Sequence, residues 1–292
     1  MSIYKGDEPL SSFLKKYFSA NKKFGSKDRK HISNLCYCFF RLGKVVMNTS
    51  IEEKILTGLF LCSEKSSEIL AALKPEWNEK YELPFNEKLL MINSSVLISE
   101  IFPWKDELSE GIDHENFCRS FLIQPDLFLR ARLGKEKIVI QKLKQAEIEF
   151  KMISDNCLAL PNASKIDEII KLDEEAVIQD QNSQRTGEFI KSEILNLKSE
   201  ISLWDCCAGS GGKSIMAFDI DPNIKLTVSD TRESILANLK KRFASAGIKD
   251  YKSFIIDLSQ NKSEIKNLKP EIIIADVPCS GSGTWSRTPE QL

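Results

Sequence analysis

An apolar strand runs directly into a glycine-rich turn at Leu203-Trp-Asp-Cys-Cys-Ala-Gly-Ser-Gly-Gly-Lys-Ser214. Glycines permit positive φ angles and let backbone N–H groups approach a ligand closely, and the helix that opens after such a turn favours an anionic group. A phosphate-binding Walker loop needs glycine where Cys207 stands, and the dinucleotide fingerprint needs a third glycine where Ser214 stands. The turn therefore predicts a ligand site that fits neither of these two patterns fully.

Short apolar strands and helices alternate from this turn onward. Strands are predicted over 201–206, 225–230, 253–258 and 271–276, with a helix from 212 and another over 232–246. Strands that alternate with helices are joined by crossovers and pair in parallel, so the pattern predicts a doubly wound α/β domain. The apolar run Ile272-Ile-Ile-Ala275 is typical of a strand that is buried on both faces.

An aspartate ends each of the three strands that follow the turn, at Asp230, Asp257 and Asp276. The carboxyl ends of parallel strands share one edge of the sheet, where open α/β folds bind ligands, and an acid about 20 residues after the turn binds ribose hydroxyls in such folds. Each aspartate could instead cap the helix that follows it. The three together favour a nucleoside-bearing cofactor, and S-adenosylmethionine fits better than a dinucleotide.

A second motif, Asp276-Val-Pro-Cys-Ser-Gly-Ser-Gly-Thr284, puts a carboxylate and a thiol in one loop. Methylation of carbon 5 of a pyrimidine needs both groups. A thiolate adds to carbon 6, an acid at ring N3 assists the attack, and a base later removes the carbon-5 proton so that the thiol can leave. Asp276 and Cys279 are therefore the candidate catalytic residues; the alternative is that Cys279 is a small buried loop residue.

The chain before the turn divides into a helical part and a mixed part. Residues 1–122 show helical periodicity, which includes a helix over 86–101, and Ser26 stands where an N-cap would. A small α+β unit follows, with strands over 127–133, 148–153 and 157–160 and a helix over 135–146, and a helix over 180–197 leads into the turn. The sequence thus predicts three domains, over 1–122, 123–173 and 174–292.

Charge and composition restrict the class of protein. The net charge is −1, but residues 1–48 carry ten Lys or Arg against three acids, which indicates either a phosphate-binding surface or a solvated helix face. No apolar run approaches the about 18 residues that a membrane-spanning helix needs. Eight cysteines without an export signal indicate free thiols in the cytoplasm, and their spacing, with only two histidines, predicts no metal site.

The two motifs together resemble the RsmB/Nop/Sun family of RNA 5-methylcytosine methyltransferases. Val177-Ile-Gln-Asp-Gln-Asn-Ser-Gln184 is similar to the family's entry to the catalytic domain, and Leu129-Arg-Ala-Arg132 to a strand of its small RNA-binding module. Gly25-Ser-Lys-Asp-Arg-Lys30 and Arg41-Leu-Gly43 are similar to the NusB-like helical domain of bacterial members. The resemblance implies a Rossmann-like class I methyltransferase domain that follows an RRM-like α+β module and an all-α domain.

The resemblance also implies a cofactor, a partner and their residues. S-adenosylmethionine would be held by Cys207, Ala208, Gly209, Ser210, Gly211, Gly212, Lys213, Asp230, Arg232, Asp257 and Asp276. Asp276 would in addition face the target cytosine. The residues that we expect to contact RNA, most simply ribosomal RNA, are Lys22, Lys23, Lys27, Arg29, Lys30, Arg130, Arg132 and Arg287.

The family uses two cysteines. The Pro-Cys cysteine, here Cys279, helps to release product, and the attacking nucleophile lies in a Thr-Cys motif on a later strand. No Thr-Cys pair occurs in the 292 residues, and doubly wound sheets usually carry more than the strands predicted here. The sequence is therefore expected to be truncated before that motif; the alternative is that Cys279 attacks directly.

Three positions depart from the family pattern. Gly209-Ser210 replaces the usual Ala-Pro, which should loosen the turn without removing its N–H donors. Arg132 replaces an asparagine, and Trp285-Ser286 replaces aliphatic or basic residues beside Arg287.

The leading prediction is a monomeric enzyme that methylates carbon 5 of a cytosine in structured RNA. The main alternative is a non-catalytic RNA-binding protein that keeps the methyltransferase fold. A methyltransferase for a protein or small molecule fits less well because of the basic N-terminus and the Asp-x-Pro-Cys loop. A nicotinamide oxidoreductase fits least because the dinucleotide fingerprint is incomplete.

Overall fold

The computed structural model describes residues 3–92, 98–197, 201–260, 265 and 267–292. The chain forms two compact units, one of Met1–Pro125 together with Cys279–Leu292 and one of Asp126–Pro278. The division into three domains at residues 122 and 173 stays a prediction. Among the helices that the structure describes, none has both the length and the apolar character that a bilayer crossing requires.

The first unit is helical, as the periodicity of residues 1–122 predicts. Its helices are α1 Leu10–Ala20, α2 Ser26–Arg41, α3 Ile51–Cys62, α4 Glu68–Leu73, α5 Pro75–Asn78, α6 Phe85–Met91 and α7 His114–Ser120. Ser26 is the first helical residue of α2 and not its N-cap; Gly25 takes that position, and its N–H donates to the Asp28 carboxylate at 2.9 Å. The predicted helix over 86–101 is divided into α6 and a short 3-10 turn at Ile98–Glu100, and its residues 93–97 lie outside the described part of the chain.

Buried polar side chains hold the first unit together. Arg41, at the end of α2, is 2% exposed and donates to the carbonyls of Phe121 and Ile123 and to Gln124 Oε1. Because its guanidinium group is buried and hydrogen-bonded to these three acceptors, Arg41 joins the end of α2 to residues 121–124. Arg41 therefore serves the fold, although it counts among the ten basic residues of the N-terminal segment.

The second unit begins with a small antiparallel sheet. Its elements are β1 Leu127–Ala131, α8 Glu136–Gln145, β2 Lys151–Met152, β3 Cys157–Leu160 and β4 Ala176–Ile178, and its strand order is β2-β3-β1-β4. The sequence analysis predicts the first three strands and the helix. It misses β4, a strand of three residues that pairs with β1 through Leu129 and Ile178.

A parallel sheet forms the rest of the second unit. Its elements are α9 Gln181–Asn196, β5 Ser202–Asp205, α10 Gly212–Ile220, β6 Lys225–Asp230, α11 Glu233–Ala246, β7 Tyr251–Ile255 and β8 Ile272–Ile274. The strand order is β7-β6-β5-β8, and every described pairing is parallel. The order reverses between β5 and β8, and this topological switch point is where open α/β sheets bind ligands.

Two expectations about the strands are wrong. The third strand begins at Tyr251 and not at 253, because Tyr251 pairs with Leu226 in β6. The fourth strand is not buried on both faces. Ile272 and Ile274 are buried, but Ile273, whose side chain lies on the opposite face of β8, is 56% exposed, so the described residues cover only one face of this strand.

Candidate cofactor and substrate site

The turn after β5 has the backbone that its glycines predict. Gly209 and Gly211 have φ angles of 53° and 84°, in the left-handed region that disfavours other residues. A Cβ on Gly211 would lie 2.7 Å from the Phe243 ring, so the turn could not pack on α11 with any larger residue there. A Cβ on Gly209 or Gly212 would have no heavy atom within 4 Å, which leaves open space on that side of the turn.

Backbone hydrogen bonds fix the turn at the switch point. The Cys206 N–H donates to the Ile274 carbonyl of β8 at 3.0 Å, and the Ala208 N–H donates to the Ser229 carbonyl of β6 at 2.9 Å. The Gly211 N–H closes the turn on the Ala208 carbonyl at 2.8 Å. The turn is therefore attached to both strands that flank β5.

Asp230, at the end of β6, is joined to this turn by its side chain. Its Oδ2 accepts from the Gly209 N–H at 3.0 Å, and Arg232 donates to both carboxylate oxygens through its backbone N–H, Nε and Nη2. The hydrogen bond from the Arg232 side chain, foremost, lowers the pKa of Asp230. These four bonds use the acceptor sites of the carboxylate, whereas the Arg232 side chain is 62% exposed.

Asp276 and Lys213 meet across the switch point. Lys213 lies in the first turn of α10, Asp276 follows β8, and Lys213 Nζ lies 2.7 Å from Asp276 Oδ2. The Asp276 side chain is 61% exposed, whereas that of Lys213 is 18% exposed. The structure thus brings together two residues that the sequence analysis assigned to the same site.

Asp257 has a local partner. It follows β7, at the edge of the sheet beyond β6, and its Oδ1 accepts from the N–H and the hydroxyl of Ser259. The hydrogen bond from the Ser259 side chain lowers the pKa of Asp257. This arrangement fits the capping alternative as well as a ligand role, so the cofactor contact of Asp257 stays a prediction.

Asp205 is a buried acid that the sequence analysis did not single out. It ends β5, is 1% exposed, and accepts from the Ser214 hydroxyl at 2.6 Å through Oδ2, while Oδ1 has no hydrogen-bond partner. Burial raises the pKa of Asp205 to about 6. A carboxylate at the end of an apolar strand, one residue before the turn, was the available signal.

The three cysteines of the two sequence motifs differ in exposure. Cys279 is exposed and belongs to the first unit, where its Sγ accepts weakly from the Gly281 N–H at 3.4 Å, so the interpretation of Cys279 as a buried loop residue is wrong. Cys206 is buried, and burial raises its pKa to about 11, whereas Cys207 is half-buried. Within the described residues, no cluster of acids, cysteines and histidines could hold a metal ion.

The predicted RNA contacts of the first unit lie on one exposed segment. Lys22 and Lys23 are exposed between α1 and α2, and Lys27, Arg29 and Lys30 are exposed in the first turns of α2. Three of these five have partners within the unit: Lys27 pairs with Glu68, Arg29 Nε donates to the Phe24 carbonyl, and Lys23 Nζ lies 5.2 Å from the centre of the Phe24 ring. Arg287 is half-buried in the same unit.

Arg130 and Arg132 are placed differently from what the sequence predicts. Their side chains are 4% and 11% exposed, and both guanidinium groups bind the carboxylate of Asp219 on α10, at 2.6 and 2.7 Å. Arg130 also donates to Gln179, and Arg132 to the carbonyls of Asp173 and Ala246. These contacts join the end of β1 to α10 and α11, and an RNA contact by either residue stays a prediction.

The family resemblance is confirmed over the residues of this site. Residues 192–291 match the family model described as 16S rRNA methyltransferase RsmB/F, which covers about a third of the chain. This match supports an RNA methyltransferase. No curated protein matches the chain.

Solved structures share the fold. The structure of PH0851 aligns with a TM-score of 0.62 and 16% identity over 95% of this chain and 72% of that chain. A methyltransferase homolog from Pyrococcus horikoshii aligns with a TM-score of 0.50 and 18% identity, over 60% of this chain and 57% of that chain. NSun6 from Pyrococcus horikoshii, solved with SFG, gives a TM-score of 0.49 and 12% identity, over 63% of this chain and 69% of that chain. With the parallel sheet, the first two alignments support a Rossmann-like fold, and the family match over 192–291 supports its assignment as a methyltransferase domain.

Proposed function

We propose that this protein transfers a methyl group from S-adenosylmethionine to carbon 5 of a cytosine in structured RNA, and that the RNA is ribosomal. The observation that carries the proposal is the glycine turn at the β5/β8 switch point, with Asp230 bonded to the turn and Asp276 beside it. The family match over 192–291 supports the same reaction class. A cytoplasmic location and a monomeric state remain part of the proposal.

The shape of the turn and its backbone N–H donors fit the cofactor. The side of Gly209 and Gly212 where a Cβ would stand is open, so a ligand could approach the backbone closely there. Cys207 to Lys213 would line this approach, and Asp230 would accept from ribose hydroxyls. Because the Asp230 oxygens are already bonded to Arg232, the exposed Arg232 side chain would release at least one of them when the cofactor binds.

The bound cofactor would supply the methyl group, and the chain's own residues would prepare the cytosine. Carbon 5 of cytosine is a poor nucleophile, so a thiolate must first add to carbon 6. The Asp276 carboxyl group is the candidate that assists this addition at ring N3, and the Lys213 ammonium group holds Asp276 in position. After methyl transfer, a base removes the carbon-5 proton, and the bond between sulfur and carbon 6 breaks.

Two cysteines can fill the role of the nucleophile. One is Cys279, whose thiol is exposed in the Asp276–Thr284 motif. The other is the cysteine of a Thr-Cys motif that the family places on a later strand and that these 292 residues do not contain. In the second version, Cys279 assists product release.

The exposed basic segment of the first unit would carry the RNA backbone. Lys22, Lys23 and Lys30 are exposed on consecutive parts of the α1–α2 connection and α2, where they could neutralise phosphates. RNA affinity is then expected to fall steeply with salt concentration. Binding that does not respond to salt would argue against this surface.

The reaction is tested with structured RNA transcripts and S-adenosylmethionine labelled in its methyl group. The product is digested to nucleosides, and label in 5-methylcytidine is the expected result. Label in another nucleoside would contradict the carbon-5 assignment. Transfer that is lost in Cys279→Ser identifies Cys279 as the nucleophile. Cofactor and RNA binding without transfer excludes Cys279 as the nucleophile and leaves the Thr-Cys cysteine and the non-catalytic RNA-binding alternative, and the absence of cofactor binding overturns the proposal.

A further inference from the structure

Arg242 on α11 connects two parts of the second unit that are far apart in sequence. Its Nη1 donates to the carbonyl of Ser210 at 2.9 Å and to the Ser210 hydroxyl at 2.8 Å. Its Nε and Nη2 donate to the carboxylate of Asp173, at distances between 2.7 and 3.0 Å. The guanidinium group of Arg242 therefore binds the glycine turn through Nη1 and binds Asp173, which lies outside the parallel sheet, through Nε and Nη2.

The residue that Arg242 holds is the one where the turn should be loose. Ser210 follows Gly209, and this pair lacks the fixed φ angle that a proline would give. A Gly-Ser segment samples more conformations than a segment with proline. Ordering it in the one conformation that binds a ligand therefore costs more free energy. Two charge-assisted hydrogen bonds from Arg242 to Ser210 restrict the segment directly.

The other partner, Asp173, is itself held in place. Its φ angle is 64°, a conformation that few residues other than glycine adopt, in the connection before β4. Its carbonyl accepts from Arg132 Nη1, and the same Nη1 donates to the Ala246 carbonyl at the end of α11. The small antiparallel sheet thus anchors Asp173, and Asp173 anchors Arg242.

We propose that Arg242 is a positioning residue that orders the cofactor turn through Ser210, with Asp173 and Arg132 as its anchor on the small antiparallel sheet. This inference rests on the proposed function, in which the turn binds S-adenosylmethionine. Arg242 reaches the turn on its Ser210 side, and the interaction takes the place of the proline that the turn lacks. The turn is then ordered before the cofactor arrives, which lowers the entropy lost on binding.

The experiment compares the wild type with Arg242→Ala, Arg242→Lys and the control Lys241→Ala, which changes an exposed neighbour on the same helix. Hydrogen exchange at Gly209 and Gly211 is measured without cofactor, since the Gly209 N–H is hydrogen-bonded to the Asp230 carboxylate and the Gly211 N–H to the Ala208 carbonyl. S-adenosylmethionine affinity is measured by titration calorimetry well below each variant's melting temperature.

Arg242→Ala is expected to increase exchange at both amides and to weaken cofactor binding about tenfold. Arg242→Lys should restore only part of the wild-type exchange protection and cofactor affinity, because a single ammonium group cannot hold Ser210 and Asp173 together. Lys241→Ala should match the wild type. A lower melting temperature with unchanged exchange and affinity would reduce Arg242 to a stabilising contact and overturn the proposal. If the wild type does not bind S-adenosylmethionine, the proposed function fails, and the exchange data alone still decide whether Arg242 orders the turn.

Discussion

The turn after β5 and the loop after β8 flank the same switch point, but they are built in different ways. The turn residues Cys206 to Gly211 are joined to β6, β8 and α11 by backbone and side-chain hydrogen bonds. The segment from Asp276 to Pro278 is exposed along its length, and Lys213 binds its first residue. One side of the site is fixed before any ligand arrives, while the other side is accessible to solvent.

This difference fits a division of work between the two sides. A cofactor that is bound in the same way in every cycle is best served by a turn that is already ordered, because less entropy is then lost on binding. A loop that receives a nucleotide from a large substrate must be open to it. The variants below test whether binding and substrate handling separate along this line.

The largest effect is expected at the fixed side. Asp230→Ala removes the proposed acceptor for the ribose hydroxyls and the hydrogen bond to the Gly209 N–H. Two hydrogen bonds to a carboxylate are worth about 1.5–3 kcal/mol each, so S-adenosylmethionine affinity should fall on the order of a thousandfold. Titration calorimetry measures the change.

The matched variant on the open side is Cys279→Ala, which removes an exposed thiol and should leave cofactor affinity unchanged. Equal affinities for the two variants would contradict the assignment of the cofactor to the turn. An unchanged affinity in Asp230→Ala alone would move the ribose site away from β6.

Much of the parallel sheet could be predicted because its determinants are local in sequence. The apolar runs around Leu203, Leu226 and Ile272 alternate with helices, and glycines at 209 and 211 mark the turn. Parallel strands bring their carboxyl ends to one edge, which was sufficient to place Lys213 and Asp276 in one site. The family motifs added the reaction class.

The rest depended on contacts between distant residues. Nothing around Arg242 indicates that its guanidinium group lies on Ser210, since 32 residues separate them. Arg130 and Arg132 appear as surface cations in sequence, and only the fold brings Asp219 to them from 89 and 87 residues away. Strand β4 has three residues, too few for a periodicity to identify it.

A smaller effect, on stability, is expected from Asp205 beneath the turn. Burial raises its pKa in the folded chain to about 6, above the ordinary value of 3.8. The folded state therefore favours the protonated form, and this stabilisation is complete below pH 3.8 and is lost as the pH rises through 6. Between pH 4 and 7, this one group should lower the free energy of unfolding by up to about 3 kcal/mol.

The comparison that isolates Asp205 is Asp205→Asn, which keeps an acceptor for the Ser214 hydroxyl and does not titrate. Chemical unfolding at several pH values should show the variant gaining on the wild type as the pH rises from 4 to 7. Asp250→Asn, at an exposed carboxylate, is the control and should not change the difference. A constant difference between Asp205→Asn and the wild type would mean that Asp205 is solvated in the folded chain.

The smallest effect on stability is expected at the open side, from Asp276→Asn. Asp276 forms an ion pair with Lys213, and most of the Asp276 side chain is exposed to solvent. Exposed ion pairs contribute about 0–1 kcal/mol, so the free energy of unfolding should change by less than about 0.5 kcal/mol. In the version with Cys279 as the nucleophile, methyl transfer should nevertheless be lost, since the amide cannot supply the proton that Asp276 is proposed to give to the cytosine ring. Lys213→Met is the companion variant, because it removes the charged partner and keeps most of the length of the side chain. If Asp276→Asn lowers the free energy of unfolding as much as the loss of a buried carboxylate would, the loop after β8 is as fixed as the turn after β5. The two sides of the site would then no longer differ in the way that separates cofactor binding from substrate handling.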